Sequence, residues 1–452
     1  MIARSQAVAA RFLPQGAVLL AVLTFASYLA GLVRDRIFAH TYGAGPELDA
    51  YNAAFVLPEL FLDVIVASGL TAPFVPVYTS LGRSDRDAAP RFAQTVFTLA
   101  IAVMAATSLV LLLIAPATVG FIAPGFDAGN QARYLDLYRL MLLTPIVFGA
   151  SIALGEVLVA ERQFLYYALA PVLYNVGIIA GTLLLSPRLG IAAAAVGAVL
   201  GSLLHLGIRL IGMTRTRVRV RFRLELRMPA LREFVKLMIP KMASHPIEPL
   251  TFLFFTNVAS TLAAGSVTAV SFARNFQSVP VALIGIAISV AAFPAMSAAW
   301  AAGDRPGFGR LVRTSAITIA IAAIAAAIGL VIVGPLAIDK LLGGGAFDAQ
   351  DVALTGTVLA AFALSVPFDS LGHLLARGLY STHNTVLPLI ASLVGFGVTV
   401  VSTLSLVDSV GIVAIPLGYA AGLAARTVVQ VVSLAWRLRA RPAAGTAEAQ
   451  AA

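Results

Sequence analysis

Long apolar runs alternate with short, arginine-rich polar breaks along almost the whole chain. A helix needs about 20 mostly apolar residues to cross the ~30 Å hydrocarbon core of a bilayer. Runs of that order lie near 16–38, 50–80, 93–115, 134–160, 166–186 and 190–213, then near 235–262, 266–298, 314–335, 350–378, 384–405 and 410–436. The pattern predicts an all-α integral membrane protein of about twelve transmembrane helices. The longest polar stretch, Thr214 to Arg232, is too short to bury a core of its own. The expected organisation is an N-terminal six-helix lobe (1–213), a basic cytoplasmic linker (214–234), a C-terminal six-helix lobe (235–441) and a disordered, small and polar tail (442–452). Arg4 and Arg11 precede a first run without a clear small-residue cleavage site, so that run is expected to be retained.

Composition agrees: 60% hydrophobic, 12% charged and a mean hydropathy of +0.93 exclude an ordinary soluble chain. With Cys 0, disulfides and thiolate metal or redox sites are excluded. The five histidines are dispersed, neither His-Glu-x-x-His nor Gly-x-Ser-x-Gly occurs, and Gly343-Gly344-Gly345 lacks the Lys-Ser or Lys-Thr of a phosphate loop. The glycine triplet reads as a flexible outer loop, and neither cofactor nor metal is expected. The net charge of +10 sits in loops between spans, which points away from a nucleic-acid partner. With the N-terminus inside, the inner loops hold Arg83, Arg86, Arg91, Arg162, the cluster Arg209 to Lys236, Arg305, Arg310, Arg313, Arg377, Arg437, Arg439 and Arg441. The outer side keeps scattered charges such as Arg133, Arg188 and Lys340. Cytoplasmic loops retain excess Lys and Arg, so both termini are expected in the cytoplasm. Arg215, Arg217, Arg219, Arg221 and Arg223 would share one face of an extended strand. They either attract anionic inner-leaflet lipids or enforce topology, and topology is the preferred reading.

The halves resemble each other. Leu154-Gly155 and Pro171 recur 217 residues later as Leu371-Gly372 and Pro388. Ala44-Gly45, Pro58 and Pro73 are echoed by Ala264-Gly265, Pro280 and Pro294. A shift of six helices keeps the membrane orientation, so the two lobes would be related by a pseudo-two-fold along the membrane normal. Two such lobes facing across a cleft is what alternating access requires, which favours a transporter.

An ionisable group at membrane depth costs about 2.5–3.5 kcal/mol on insertion scales and normally faces protein or a wet cavity. Spans one and two carry Arg34, Asp35, Asp49, Glu59 and Asp63; spans seven and eight carry Lys241, His245, Glu248 and Arg274, with Gln277 one turn on. These four spans are equivalents across the repeat and would wall one cleft. For Arg34 and Arg36 the competing reading is a pair snorkelling to the interface. Pro58, Pro73 and Pro76, and Pro240, Pro246 and Pro249, remove backbone donors and bend spans two and seven. Glu156, Asp369, His373 and Arg426 are better read as pairing with neighbouring helices to hold each lobe together.

The stretch Gly31-Leu-Val-Arg34-Asp35, Tyr42-Gly43-Ala44-Gly45, Asp49-Ala50, Phe55-x-Leu57-Pro58 and Phe74-Val75-Pro76 resembles the MurJ (MviN) lipid II flippases of the multidrug/oligosaccharidyl-lipid/polysaccharide exporter superfamily. Further matches fall in order: Ala123-Pro124-Gly125-Phe126, Ala264-Gly265-Ser266-Val267, Ala273-Arg274, Val279-Pro280, Phe293-Pro294, Gly334-Pro335-Leu336 and Gly378-Leu379-Tyr380-Ser381. The resemblance implies a V-shaped central cavity between the lobes and outward movement of an undecaprenyl-pyrophosphate-linked cell-wall precursor across a bacterial inner membrane. It implies that Arg34 and Arg274 hold the diphosphate, with Asp35 and Asp49 orienting them or releasing substrate. The chain departs from the family pattern at Tyr28, which stands where a cavity arginine is usual, at Leu62-Asp63 in place of a basic pair, and at Gln277 in place of a glutamate. About twelve spans stand where several members have fourteen. The rivals are a flippase for another lipid-linked oligosaccharide, a cation or drug exporter of the same superfamily, and a transport-inactive scaffold for cell-wall synthesis or division proteins. An embedded enzyme lacks a nucleophile or acid-base cluster.

Overall fold

The computed structural model describes residues 16–85 and 87–439. Arg4, Arg11, Arg86, Arg441 and the tail 442–452 lie outside the described residues. Within them the regular secondary structure is helical apart from an isolated bridge between Gly344 and Phe347. Among the described residues, nine helices are long and apolar enough to cross a membrane, or ten with Ala349–Ala363 and Val366–Ser381 taken as one span bent by 44°. The Val386–Arg439 stretch is 54 residues long; at about 1.5 Å per residue it is more than twice as long as the hydrocarbon core is thick. It divides at Gly411–Val413 into two spans, Val386–Val410 and Ala414–Arg439. Pro229–Ser244 and Ile247–Ser260 stand where the seventh expected run lies, although they are not among those nine or ten spans.

With those two adjustments the twelve expected runs each have a counterpart. Spans one to six are Val18–Tyr42, Pro46–Arg83, Ala88–Leu113, Ala128–Ala160, Phe164–Leu189 and Ala192–Met213. Span seven is the broken pair 229–260, and spans eight and nine are Ser266–Ala301 and Arg305–Leu341. Span ten is the bent pair, and eleven and twelve are the halves of the 54-residue stretch.

By packing, the chain divides after Thr268 into two compact units, and the segment Leu341–Asp351 joins the first. The first has a core around Phe74, Phe92, Met104 and Phe234, with Phe92 stacked edge-on against Phe234 at 5.5 Å. The second packs Met296, Phe308, Ile319, Leu374 and Leu379. Proline breaks span seven as expected: the helix stops at Ser244 and restarts after Pro246. Spans two and eight each widen into a π-helical segment, Asp63–Leu70 and Val281–Ile286, the second directly after Pro280. One extra residue per turn in such a segment re-aims the side chains that follow.

The internal geometry of each unit repeats that of the other. Arg209 lies against Gly155 in the first, and Arg426 against Gly372 in the second, one pair displaced from the other by the same interval that separates the Leu-Gly motifs. Among the described residues, the non-glycine positions with positive φ are Arg162 and His383, in the corresponding turns after spans four and ten. Each half of the chain also crosses its fifth and sixth spans through small residues, so that backbones touch. Gly177 and Gly181 meet Gly201 and Gly197; Gly395 and Thr399 meet Gly422 and Gly418.

A side chain at these crossings must push two backbones apart. Gly177→Val and Gly422→Val are each expected to lower stability by about 1–3 kcal/mol through overpacking. Gly207→Ala, inside the helix Ala192–Met213 with nothing within 4 Å of the new methyl group, should leave the thermal unfolding midpoint of the detergent-purified protein no lower than that of the parent.

Candidate functional site

Arg34 lies in the last third of span one and is held rather than dangling. Its Nε and Nη2 both donate to Asp35 Oδ1, at 3.0 and 2.8 Å, and its Nη1 donates to Asn175 Oδ1 on span five at 3.3 Å. Adjacent residues on a helix do not normally face each other, so the long arginine folds back to reach its neighbour. Asn175 is fixed in turn, because its Nδ2 donates to the Pro171 carbonyl at 3.1 Å. Phe38 lies under the guanidinium at 6.0 Å, and Tyr51 and Tyr174 stand within electrostatic range. Asp35 is buried, whereas Arg34 keeps 26% of its side chain exposed. This is a clamped cation with one accessible edge, not a side chain reaching for the interface. Arg36 differs: it is exposed and donates to the Leu341 carbonyl at 2.7 Å.

Asp49 is deeply buried and its carboxylate faces the start of span eight. It accepts from the Gly265 backbone N–H (2.7 Å), the Thr268 N–H (2.8 Å) and the Thr268 hydroxyl (2.7 Å). The carboxylate thereby satisfies donors that the first helical turn would leave orphaned and sits at the positive end of the helix dipole. Asp351 does a similar service for the turn after span one, accepting from the Ala44 N–H at 3.0 Å. Gly43 (φ 68°) and Gly265 (φ 88°) adopt the left-handed region, and a side chain on either would strike a backbone carbonyl, of Ala346 or Ala44 respectively. The glycine triplet is therefore no loose loop. The Ala346 N–H donates to the His40 carbonyl at 2.9 Å, and Phe347 is fully buried.

The remaining candidates of the first unit divide. Asp63, at the start of the π-helical segment, lies within electrostatic range of His245, at the break of span seven, and of Glu248 beyond it. Glu59 is exposed and acts on Tyr174, beside Arg34. Lys241 is exposed on span seven, and Tyr28 is 63% exposed on span one. In the second unit Asp369 is the centre. Arg426 Nη2 donates to its Oδ1 at 3.0 Å, His373 Nε2 is 3.9 Å away, and Arg274 lies within electrostatic range. Gln277 is buried and donates to Ser365 Oγ at 3.1 Å, so it ties span eight to span ten.

The structure thus brings Arg34 together with Asp35, Asp63 with His245 and Glu248, and Arg274 with Asp369; Asp49 goes to the 265–268 turn. Asp369 and Arg426 join spans ten and twelve, as expected for residues that hold a lobe together. Sequence reasoning passed over Asn175, Thr268 and Asp351. Asn175 is uncharged, but an amide inside an apolar run needs a partner as surely as a charge does. The other two show their role only once the turns are folded.

Nine or ten helices long and apolar enough to cross a membrane among the described residues, together with local packing repeated between the halves, define a multi-pass membrane protein of the transporter class. The fold is shared with solved structures of that class. The chain matches the "Lipid II flippase MurJ, inward closed conformation" with a TM-score of 0.80, at 21% identity, over 93% of this chain and 88% of that one. It also matches the inward-facing conformation of a multidrug resistance MATE family transporter of the MOP superfamily, with a TM-score of 0.79 at 15% identity, over 91% and 93% of the two chains. The family model described as "Lipid II flippase MurJ" matches residues 38–450, and the chain belongs to that family. A lipid II flippase MurJ of Burkholderia cenocepacia is 26% identical over 391 residues, covering 84% of this chain and 75% of that protein.

Removing one partner of a buried ion pair leaves an uncompensated charge, at about 3–5 kcal/mol, whereas removing both costs far less. Asp369→Leu and Arg426→Leu should each lower the thermal midpoint in detergent sharply. The double variant should recover most of the loss, and additive effects would show that the pair is not coupled.

Proposed function

We propose that the chain is a flippase that carries an undecaprenyl-pyrophosphate-linked cell-wall precursor, lipid II, from the inner to the outer leaflet of the bacterial cytoplasmic membrane by alternating access. Both termini lie in the cytoplasm in this reading. The observation that carries it is family membership across almost the entire chain, residues 38–450. The geometry of Arg34 supports it. A guanidinium whose Nε and Nη2 are occupied by Asp35 is held in one orientation, and its remaining donors suit the oxygens of a diphosphate.

In this mechanism Arg34 and Arg274 engage the diphosphate, one from each repeated half. Asp35 aims Arg34 and limits how tightly it holds an anion, which matters because a carrier must also let go. Asp49 acts at a distance by fastening the turn from which span eight, and hence Arg274, begins. Asp63, His245 and Glu248 form a polar group at the break of span seven, where a hinge is easiest. Outward movement of an anion from a negative interior is favoured by about 2.3 kcal/mol per charge per 100 mV, which supplies drive without a motor in the same chain.

A second reading, transport of another lipid-linked oligosaccharide, rests on Tyr28, Leu62-Asp63 and Gln277, where the chain lacks charges usual in the family it resembles. One experiment separates these readings. In cells depleted of their own lipid II flippase and expressing this chain, lipid II exposed at the outer face is measured with an externally added cleaving enzyme. Restored exposure that is lost on Arg34→Ala or Arg274→Ala, with normal membrane insertion, supports the proposal. Full transport by the double variant would overturn the assigned site. No restoration by an inserted wild-type chain would favour the second reading or a transport-inactive scaffold for cell-wall proteins.

A further inference from the structure

The segment 214–228, between spans six and seven, is more than a charged link. From Val218 to Glu225 it forms neither helix nor strand, and it is fastened to span three at several points. Gln94 Nε2 donates to the Arg219 carbonyl at 2.8 Å, the Arg223 N–H donates to Thr98 Oγ1 at 2.9 Å, and the rings of Phe97 and Phe222 lie 5.7 Å apart. Span three has 26 residues, about 39 Å, against a hydrocarbon core of about 30 Å. Its polar side chains Gln94, Thr95 and Thr98 precede a long apolar stretch, so this rung lies where headgroups meet acyl chains. The segment 218–225 is therefore held at that depth.

Its side chains alternate. Phe222, Leu224 and Leu226 are 76%, 55% and 62% exposed, and the arginines at 217, 219 and 221 between and before them are exposed as well. Arg223 is paired with Glu225. Where the segment turns into span seven, a groove of about 540 Å³ is lined by Arg227, Arg232 and Lys236, with Glu233 opposing them, at the N-terminus of the helix Pro229–Ser244. A rule of topology counts positive charges and asks nothing of the residues between them. A polyanion in water would leave Phe222, Leu224 and Leu226 wet. A leaflet of anionic phospholipid satisfies both sets at once, taking the apolar side chains below its phosphates and the guanidinium groups among them.

We propose that residues 214–236 form a binding site for anionic glycerophospholipid of the leaflet on which the linker lies, separate from the transported substrate. Phe222, Leu224 and Leu226 are the apolar anchors, and Arg217, Arg219, Arg221, Arg227, Arg232 and Lys236 are the phosphate contacts. Such lipid tethers the start of span seven to the membrane surface. The test uses the full chain in nanodiscs of phosphatidylcholine alone or with about one-third phosphatidylglycerol, and reads hydrogen exchange of 214–228. Phosphatidylglycerol should slow exchange by about tenfold, and about 0.5 M salt should reverse this. R217Q/R219Q/R221Q should lose the protection, the corresponding lysine variant should keep it, and F222S/L224S/L226S should lose it even at low salt. Equal exchange in both lipid mixtures would overturn the proposal, as would protection that appears only when a protein extract or an isoprenoid diphosphate is added.

Discussion

A charge inside a membrane has no water to fall back on, so each must be neutralised by something within reach, and most of this chain's architecture follows from how that is done. Arg34 takes the residue next to it; Arg426 takes Asp369 across two spans; Asp49 takes the first turn of span eight. These are three different solutions. The first leaves a cation partly open, the second closes a unit internally, and the third converts a carboxylate into a fastening between distant parts of the chain. The first leaves a guanidinium with an edge still accessible, which is the reason Arg34 is proposed as a ligand contact.

Backbone irregularity is distributed in the same economical way. Spans five, six, eleven and twelve are regular and cross through small residues, while spans two, seven and eight contain the π-helical segments or the break. The π-helical segments are also contact points: Gly69 leaves room for Met242, and Gly285 for Ser370. Widened turns are therefore packed against specific neighbours within each unit.

The span pattern, the repeat and the reading of Asp369 and Arg426 as residues that hold a lobe together were legible in the sequence because each rests on residue spacing or on the cost of unpaired charge; that the two pair with each other was not. Arg34 was visible for the same reason, but its state was not: that Asp35 rather than the interface receives it depends on one side-chain fold and on Asn175. Asp49 drew attention as a buried acid, and its occupation by Gly265 and Thr268 could not be read from a position 216 residues away. The glycine triplet near 344 looked flexible because glycine usually is; here it is small so that the His40 turn can press against it. Local chemistry was readable, and tertiary contact decided what it was used for.

The repeated placement of Arg209 and Arg426 bears on how the chain is made. Each lies on the last span of its half, and each finds its contacts on a span synthesised earlier: Ser151 with Glu156 in one case, Asp369 in the other. A ribosome delivering these helices in order therefore releases the costly cation only after its counterpart is already in the bilayer. Neither guanidinium has to wait in lipid for a partner still inside the exit tunnel, and the duplication preserves that sequence of events twice.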